Sequence, residues 1–400
     1  MVSAVTDAPP ISPFPPEVSR QSPNSIWLLS PRVDFLNHGS FGAMPRPVFE
    51  AQDAWRRRIE ADPIELIGRQ CAGLVAEARK PVAKFLGMEP DDFGFVTNAT
   101  EGINCVLQSL ALAPGDELLT TDHVYHAIRQ AMRRCAARAG AAVREVAVPL
   151  PVRSGEQIAQ IVLAAISPRT RLLVIDHVTS PTGLVFPVEQ IIAGCAKAGV
   201  DVLVDGAHAP GMLPLNIGEL RPAYYAANLH KWCCGSKGSA LLWVRPDKQK
   251  DIHPAVISHF LGEGFTREFA WQGTRDLSAW LAVPHALAFM ESLGLERVMA
   301  HNHAMAAWAH RLLCRRLKLD PISPLDGSML GSMAAVALPA LAGISERQRE
   351  TLQQRLYSEF HLEAPLMLWN GQCLLRVSCQ VYNTPEQYER LVDAIGKLGT

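Results

Sequence analysis

The chain has 400 residues, enough to bury a substantial core and to form two or three domains of about 150 residues each. Hydrophobic residues make up 48% of the chain and charged residues 19%, which is typical of a globular protein. Lys and Arg total 38 against 39 Asp and Glu, so the net charge gives no reason to expect nucleic acid or an anionic membrane as a partner. A small-molecule ligand is the better expectation.

The cysteines and the first residues predict a cytoplasmic protein. Nine cysteines are scattered along the chain, apart from the pair Cys233 and Cys234, and they form neither a CxxC metal pattern nor a disulfide framework. Their odd number favours reduced thiols. Residues 1–24 are Pro-rich and do not resemble a signal peptide, so we expect a poorly ordered leader. No apolar run reaches the roughly 18 residues expected of a membrane span.

The middle of the chain alternates strand-like and helix-like patterns. Strands are predicted at 93–97, 117–120, 143–148, 171–175 and 202–204, with helices at 103–110, 127–132, 157–166 and 187–198. This alternation predicts an α/β domain with a mostly parallel sheet and right-handed crossovers. Ligands bind such sheets outside the carboxyl ends of the strands, which is where Asp176 and Asp205 lie.

From about residue 277 the pattern changes to long helices. Helices are predicted at 277–293, 296–317 and 384–398, and strands at 333–338 and 373–378. The last helix begins with the capping-box pattern Thr384-Pro-Glu-Gln387. The predicted organisation is therefore a leader at 1–24, a large domain at 25–285 whose first part packs near the small domain, and a small C-terminal domain at 286–400.

One lysine and one aspartate indicate the chemistry. Lys231 lies between Asn-Leu-His and Trp-Cys-Cys-Gly, a poor setting for the solvated side chain that a lone lysine usually has. Asp205 ends an apolar strand-like run, where it either caps a helix from Ala207 or pairs with a buried cation. Pyridoxal phosphate (PLP) chemistry requires a lysine that forms a Schiff base and a carboxylate that keeps the pyridine nitrogen protonated. Together the two residues predict a PLP enzyme that acts at the α-carbon of an amino acid.

Further motifs, in a fixed order along the chain, make up a resemblance to a known family. They are Phe35-Leu-Asn-His-Gly-Ser-Phe-Gly42, Asn98-Ala-Thr-Glu-Gly102, Gly115-Asp-Glu117, Thr121-Asp-His-Val-Tyr125, Asp176-His-Val-Thr-Ser-Pro-Thr-Gly183, Val204 to Gly211, and Asn228 to Lys231. From about residue 33 the chain resembles the class V aminotransferase family of fold-type I PLP enzymes, specifically its isopenicillin N epimerase-like branch. The resemblance implies a large domain with a mostly parallel seven-stranded sheet, a smaller α+β C-terminal domain, and PLP as the cofactor.

The resemblance also implies where the cofactor binds. The implied cofactor-binding residues are Ala99, Thr100, Ser180, Asp205, His208, Asn228, His230, Gly273 and Thr274. Ala99 and Thr100 follow a predicted strand and begin a helix, where backbone amides can meet a phosphate, although such a Thr-Glu-Gly is on its own most often a cap.

The other implied cofactor positions have separate roles. Asn228 and His230 resemble the family's polar pair that faces the phosphate, and Ser180 and His208 match positions that contact the phenolic oxygen of the cofactor. The segment Gly273 to Thr274 resembles a motif that reaches the phosphate in a neighbouring subunit. This implies a homodimer with shared active sites, and twofold dimers are the commonest closed assembly.

The residues that handle the substrate are predicted on the same basis. His123 matches the histidine that stacks on the cofactor in desulfurase-like relatives, whereas the epimerase-like branch emphasises the tyrosine, Tyr125. His126 stands where that branch commonly has glycine, and three polar rings in a row are also compatible with a surface loop.

Arg376 matches the arginine that pairs with the α-carboxylate of the substrate. An arginine in an amphipathic edge strand is a common alternative. Asn37 and His38 are expected to line the substrate mouth, and Arg275 to bind a distal acidic group.

The first chemical step predicted for this site leads to several reactions. Lys231 removes the α-proton. If Tyr125 or His123 then returns a proton to the α-carbon on the opposite face, the enzyme is an epimerase or racemase, which is our first hypothesis. The alternative is a carbon-sulfur β-lyase or cysteine desulfhydrase. An aminotransferase and a non-catalytic PLP-binding protein remain further alternatives. A desulfurase would usually need a catalytic cysteine in the C-terminal loop, and 322–332 and 362–372 contain none, although Cys373 lies close by.

Overall fold

The computed structural model describes residues 8–19, 22 and 24–398. In these residues the strands are β1 (Asp34–Phe35), β2 (Phe93–Val96), β3 (Glu117–Thr121), β4 (Ala142–Val146), β5 (Thr170–Asp176), β6 (Asp201–Asp205), β7 (Tyr224–Asn228), β8 (Ala240–Val244), β9 (Met333–Ala337), β10 (Leu362–Glu363), β11 (Leu366–Trp369) and β12 (Gln372–Ser378).

The large sheet has seven strands in the order β2-β8-β7-β6-β5-β3-β4. Strands β3 to β7 pair in parallel, and β8 is antiparallel to both of its neighbours. Helices cover both faces, so the inner strands are buried along almost their whole length. The predicted seven-stranded, mostly parallel sheet is confirmed. Strands β7 and β8 were absent from the element-by-element prediction, because β7 contains two alanines and β8 is a short apolar run without alternation.

The helices of the described residues are α1 (His38–Phe41), α2 (Arg46–Ala61), α3 (Cys71–Leu86), α4 (Ala99–Ser109), α5 (His126–Ala139), α6 (Gly155–Ala164), α7 (Val188–Lys197), α8 (Ile217–Leu220), α9 (Phe265–Ala270), α10 (Ser278–Leu281), α11 (Val283–Leu293), α12 (Leu295–Leu317), α13 (Glu346–Phe360) and α14 (Pro385–Lys397). The single helix predicted at 277–293 is divided into α10 and α11. Pro284 lies in the first turn of α11, where its missing N–H is tolerated but where it cannot continue the preceding helix.

The C-terminal part has a small antiparallel sheet in the order β11-β12-β9, on which α12 packs. Strand β1 pairs in parallel with β10, so the first part of the chain is joined to this region. The predicted boundary between residues 285 and 286 falls inside α11. The predicted start of the last helix is present, and the Gln387 side chain accepts the Thr384 amide at 3.1 Å.

Part of the predicted leader is anchored to the folded chain. Val18 is buried, and its carbonyl accepts the indole N–H of Trp27 at 2.9 Å. Residues 1–7, 20, 21 and 23 of the predicted leader lie outside the described residues. Among the described helices, none combines the length and the apolar character that a membrane crossing requires.

Candidate active site

A cavity of about 600 Å³ opens where the parallel strands of the large sheet end. Tyr125, Asp176, Asp205 and Lys231, which follow or end β3, β5, β6 and β7, line it, and Arg376 of β12 closes it from the C-terminal region. Five polar side chains that are far apart in sequence thus meet at the edge of the sheet where α/β proteins bind ligands.

Lys231 is a weak base in this cavity. Its Nζ lies 3.1 Å from Nε2 of His208. Burial lowers the pKa of Lys231 to about 7, and the positive charge of Arg376 acts in the same direction, against the opposing effect of Asp205 and Asp176. An amine with such a pKa is largely available as a neutral nucleophile near neutral pH.

The motif from Phe35 to Gly42 holds the backbone of the lysine loop. A Cβ atom at Gly42, whose φ is +68°, would lie 2.2 Å from the carbonyl oxygen of His230, so only glycine allows this close approach. The ring of His38 donates from Nε2 to the carbonyl of Lys231 at 3.0 Å, and its Nδ1 lies 2.9 Å from the hydroxyl of Tyr382. His38 is fully buried behind the cavity wall. The expectation that His38 lines the substrate mouth is therefore wrong, because both ring nitrogens are used in supporting the lysine loop.

Two carboxyl groups lie side by side on the floor of the cavity. Asp176 and Asp205 are register partners at the ends of β5 and β6, and both are buried. Burial raises the pKa of both groups, and the neighbouring Asp205 raises that of Asp176 further. Oδ1 of Asp205 accepts the amide of Ala207 at 3.0 Å, and the charge of Lys231 also favours its ionised form, whereas Oδ2 of Asp176 is buried without a hydrogen-bond partner among the described residues. Asp205 is the member of the pair better placed to stay ionised.

The N-terminus of α4 forms one end of the cavity. Oδ1 of Asn98 caps the helix by accepting the amide of Glu101 at 2.8 Å, and Oδ1 of Asn228 accepts the amide of Ala99 at 2.8 Å. The side chain of Thr100 and the helix N-terminus remain at the cavity wall. His230 also lines the wall, with its Nδ1–H donated to the carbonyl of Ser239 at 3.0 Å. This end of the cavity suits an anion such as a phosphate.

Arg376 lies at the other end and is only 1% exposed. It donates from Nη1 to the Ser180 carbonyl at 2.7 Å and from Nη2 to Ser40 Oγ at 3.0 Å and Asn37 Oδ1 at 3.3 Å, while its Nε is buried without a partner. Within the described residues no carboxylate forms an ion pair with it. A buried guanidinium held only by neutral acceptors is suited to bind a carboxylate. Asn37 therefore orients Arg376 and does not itself line the cavity.

The structure separates the three rings after β3. Tyr125 precedes α5, lines the cavity and is 43% exposed. His123 is fully buried behind the wall, with Nδ1 2.9 Å from Thr182 Oγ1 and Nε2 donating to the Val148 carbonyl at 2.8 Å. His126 begins α5 and lies 3.1 Å from the side chain of Gln130. Of the three rings, the geometry favours Tyr125 for contact with a ligand.

The remaining predicted residues divide into two groups. Ser180 and His208 line the cavity, beside Arg376 and Lys231 respectively. Gly273 and Thr274 lie outside the cavity wall, and Thr274 is exposed. Arg275 also lies outside the wall and contacts Glu101 at 3.9 Å, so its expected role with a distal acidic group is not supported here.

Several lining residues were not among the sequence candidates. They are Gly39, Ser40, Phe41, Thr97, Asn98, Val178, Ala207, Lys237, Gly238 and Met367. Ser40 and Phe41 lie in the same motif as Asn37. The motif therefore indicates this part of the cavity wall, but Ser40 and Phe41 line it and Asn37 does not. Met367 comes from β11, and nothing in its sequence context indicates that it reaches the cavity.

The cavity residues fit PLP by their chemistry. An anion-binding helix end, a buried carboxyl group that accepts a backbone amide beside the charge of Lys231, and a lysine of lowered pKa line one cavity, and they match the phosphate, the pyridine nitrogen and the aldehyde of PLP.

Residues 44–391 match the sequence profile of the family described as aminotransferase class-V. The chain belongs to this family. The family resemblance and the fold class predicted from the sequence are thereby confirmed.

Individual class V relatives carry two different activities in their names. An isopenicillin N epimerase of Amycolatopsis lactamdurans is 34% identical over 388 residues, which cover 92% of this chain and 96% of the relative. A putative L-cysteine desulfhydrase of Oryza sativa subsp. japonica is 32% identical over 400 residues, which cover 91% of this chain and 82% of the relative.

Among solved structures, a mutant of C-DES with glycine covalently linked to its PLP cofactor superimposes with a TM-score of 0.78. The two chains are 23% identical, and the match covers 90% of this chain and 95% of that chain, so the likeness concerns the fold. Class V enzymes are PLP-dependent, and the prediction of a PLP-dependent enzyme of the epimerase or lyase type agrees with both kinds of relative.

Proposed function

We propose that this class V enzyme binds PLP in the 600 Å³ cavity and epimerises an amino acid or an amino-acid-derived substrate at its α-carbon. The observation that carries the proposal is the presence of two proton-carrying groups, Lys231 and Tyr125, on one cavity that also holds Arg376. Inversion at carbon needs a group that removes the proton and a second group that returns it from the other face.

The cofactor would be held at its phosphate and its pyridine nitrogen, in addition to its bond with Lys231. The N-terminus of α4 with Thr100, Asn228 and His230 would receive the phosphate, and Asp205 would keep the pyridine nitrogen protonated. When bound, PLP withdraws electrons from the α-carbon, so the proton on that carbon becomes acidic. Ser180 and His208 border the space between Arg376 and Lys231.

Arg376 would orient the substrate. Its guanidinium pairs with the α-carboxylate and is held in place by the Ser180 carbonyl and Ser40 Oγ. Because the pair is enclosed, water does not weaken it, and the carboxylate fixes the position of the α-carbon relative to Lys231.

Lys231 and Tyr125 reach the cavity from different sides of its floor. In the order of the sheet, the ends of β6 and β5, with Asp205 and Asp176, lie between β7 and β3. Lys231 follows β7 and Tyr125 follows β3. The neutral amine of Lys231 takes the α-proton, and the Tyr125 hydroxyl gives a proton back to the same carbon.

A carbon-sulfur β-lyase or cysteine desulfhydrase is the second candidate, and the desulfhydrase relative from rice, at 32% identity, favours it. In that reaction Tyr125 would protonate the leaving thiolate. No cysteine lines the cavity of the described residues, and Cys373 is buried in β12, which disfavours a desulfurase that transfers sulfur to a cysteine.

We also propose a homodimer and a cytoplasmic location. Thr274 is exposed away from this subunit's cavity, and Phe41 is 69% exposed at the cavity wall, as expected if a second subunit covers the opening and contributes Gly273 and Thr274. The location is proposed because the cysteines are all free thiols.

Incubation with amino acids and cysteine conjugates in deuterated water tests the proposal. Deuterium at the α-carbon of both enantiomers supports epimerisation. A keto acid released together with a thiol supports the lyase instead, and a spectrum of the pyridoxamine form indicates transamination. The PLP assignment fails if the protein, after incubation with PLP and removal of the unbound cofactor, has no absorbance band, or if the band is unchanged in Lys231→Ala.

A further inference from the structure

Two buried rings meet directly behind Lys231. The indole Nε1 of Trp232 lies 3.3 Å from Nδ1 of His208, and the side chains are 0% and 2% exposed. An indole N–H can only donate a hydrogen bond, so Nδ1 of His208 must be the acceptor and cannot carry a proton. Trp232 thereby determines the tautomer of His208.

The proton of the His208 ring must then be on the other nitrogen. Burial lowers the pKa of His208 well below its ordinary value, and the charges of Lys231, Arg376, His230 and His38 act in the same direction, so the ring is neutral. A neutral ring that accepts at Nδ1 carries its hydrogen on Nε2. Nε2 lies 3.1 Å from Nζ of Lys231.

We propose that Trp232 is a positioning residue that fixes His208 as an Nε2–H donor facing the nitrogen of Lys231. The inference about the Lys231 nitrogen when PLP is bound to it rests on the proposed function. The inference about the tautomer of His208 does not. A donor in this position stabilises a lysine nitrogen with a free lone pair and disfavours the same nitrogen when it is protonated. Trp232 therefore helps to keep the catalytic nitrogen unprotonated.

Loss of the indole N–H releases this constraint. In Trp232→Phe the ring of His208 can carry its hydrogen on Nδ1 and turn the lone pair of Nε2 towards Lys231, where it accepts a proton from the lysine nitrogen. The acidic groups near Lys231, Asp205 and Asp176, are unchanged by the substitution. The lysine nitrogen should therefore become more basic.

Nitrogen NMR of the histidine rings reports the tautomer directly, with the His208 signals assigned from their absence in His208→Gln. The wild-type protein, with or without PLP, should show hydrogen on Nε2 of His208. Hydrogen on Nδ1 of the wild-type ring would overturn the proposal without any need for the Trp232 variant to fold.

A pH titration of the PLP absorbance band supplies the second readout. In Trp232→Phe we expect its midpoint to move upwards by about one pH unit, the size expected for one lost hydrogen bond at a charged group. Trp243→Phe is the matched control, because that indole is also buried but its Nε1 has no hydrogen-bond partner in the part of the chain that the structure describes. We expect the control to leave the midpoint in place.

A double-mutant cycle distinguishes tautomer control from loss of packing. Glutamine has no ring tautomer, so adding Trp232→Phe to His208→Gln should produce no further shift in the midpoint. An equal shift in both backgrounds, or no shift in the single variant, contradicts the role of Trp232. If the wild-type protein gives no band with PLP, the proposed cofactor is wrong, while the NMR measurement still tests the tautomer.

Discussion

Asp176 and Asp205 face each other across neighbouring parallel strands, and the two buried carboxyl groups form the floor of the cavity. Two buried carboxylates on neighbouring strands repel each other, so the pair is more stable when one of them is protonated. Asp205 has the Ala207 amide and the charge of Lys231 to stabilise its carboxylate, and Asp176 has an unpartnered oxygen. Asp176 is thus the member expected to carry the proton.

This division predicts unequal results for the two amide variants. Asp176→Asn replaces a neutral acid by a neutral amide of the same shape, so we expect neither the dissociation constant for PLP nor turnover to change by more than about threefold. Asp205→Asn removes the charge that holds the pyridine nitrogen protonated, and we expect turnover to fall on the order of 100-fold or more. Equilibrium binding of PLP and steady-state rates measure the two effects. Equal losses in both variants would show that the charge is shared.

The lowered pKa of Lys231 predicts how PLP uptake depends on pH. The free-base amine attacks the aldehyde, so the rate of uptake should rise about tenfold per pH unit below pH 7 and level off above about 7, the pKa of the group. An unperturbed lysine would level off only above about pH 10. Stopped-flow absorbance at a series of pH values gives the profile, and a profile still rising at pH 9 would contradict it.

Arg376→Lys tests the assignment of the substrate carboxylate. Lysine keeps a positive charge but cannot form two parallel hydrogen bonds, and it loses the contacts to Ser180 and Ser40. We expect KM for an amino acid substrate to rise by about 10- to 100-fold, equivalent to the roughly 1.5–3 kcal/mol of a charged hydrogen bond. The affinity for PLP should change much less. A fall in PLP affinity as large as the rise in KM would place Arg376 with the cofactor instead.

The sequence predicted those parts of the site that depend on local chain geometry. Lys231, Asp205 and Thr100 lie at strand ends or at a helix start, and a parallel sheet brings such positions to one edge whatever the details of packing. The same holds for strands β2 to β6, which alternate with helices in the sequence, whereas the full count of seven strands came from the family resemblance.

The errors concern side-chain direction, which depends on packing between distant segments. His38 and Tyr125 both lie in motifs of the family resemblance. His38 nevertheless turns inward to the carbonyl of Lys231, 193 residues away in the chain, whereas Tyr125 reaches the cavity. His123 likewise turns inward to Thr182 and the Val148 carbonyl. A shift of one residue along a loop decides whether a side chain faces the cavity or the interior. The sequence around each histidine does not indicate its distant partner.

Gly206, directly after Asp205, is expected to be intolerant of a side chain. A Cβ atom there would lie 2.1 Å from the ring of Tyr225, whose hydroxyl bonds His177 Nδ1 at 2.8 Å and so resists displacement. Gly206→Ala should therefore lower the free energy of unfolding by about 1–3 kcal/mol. Gly396→Ala is the control, because no atom of the described residues lies within 4 Å of its Cβ position in α14, and alanine should stabilise that helix slightly. Thermal unfolding of the two variants measures the difference, and equal midpoints would refute the expected clash.

Tyr125→Phe discriminates between the two groups that can return a proton to the α-carbon. If the Tyr125 hydroxyl protonates one face and Lys231 the other, the variant should still exchange the α-proton of one enantiomer with deuterated water, while interconversion of the enantiomers falls about 100-fold or more. His123→Gln should affect interconversion much less, because its ring lies behind the cavity wall with both nitrogens engaged. Chiral separation combined with mass spectrometry measures exchange and interconversion in one sample. If exchange and interconversion fall together in Tyr125→Phe, the tyrosine binds or orients the substrate without acting as the second acid. If instead the histidine variant loses interconversion alone, the proton passes through His123, and the ring must turn towards the cavity when substrate is bound.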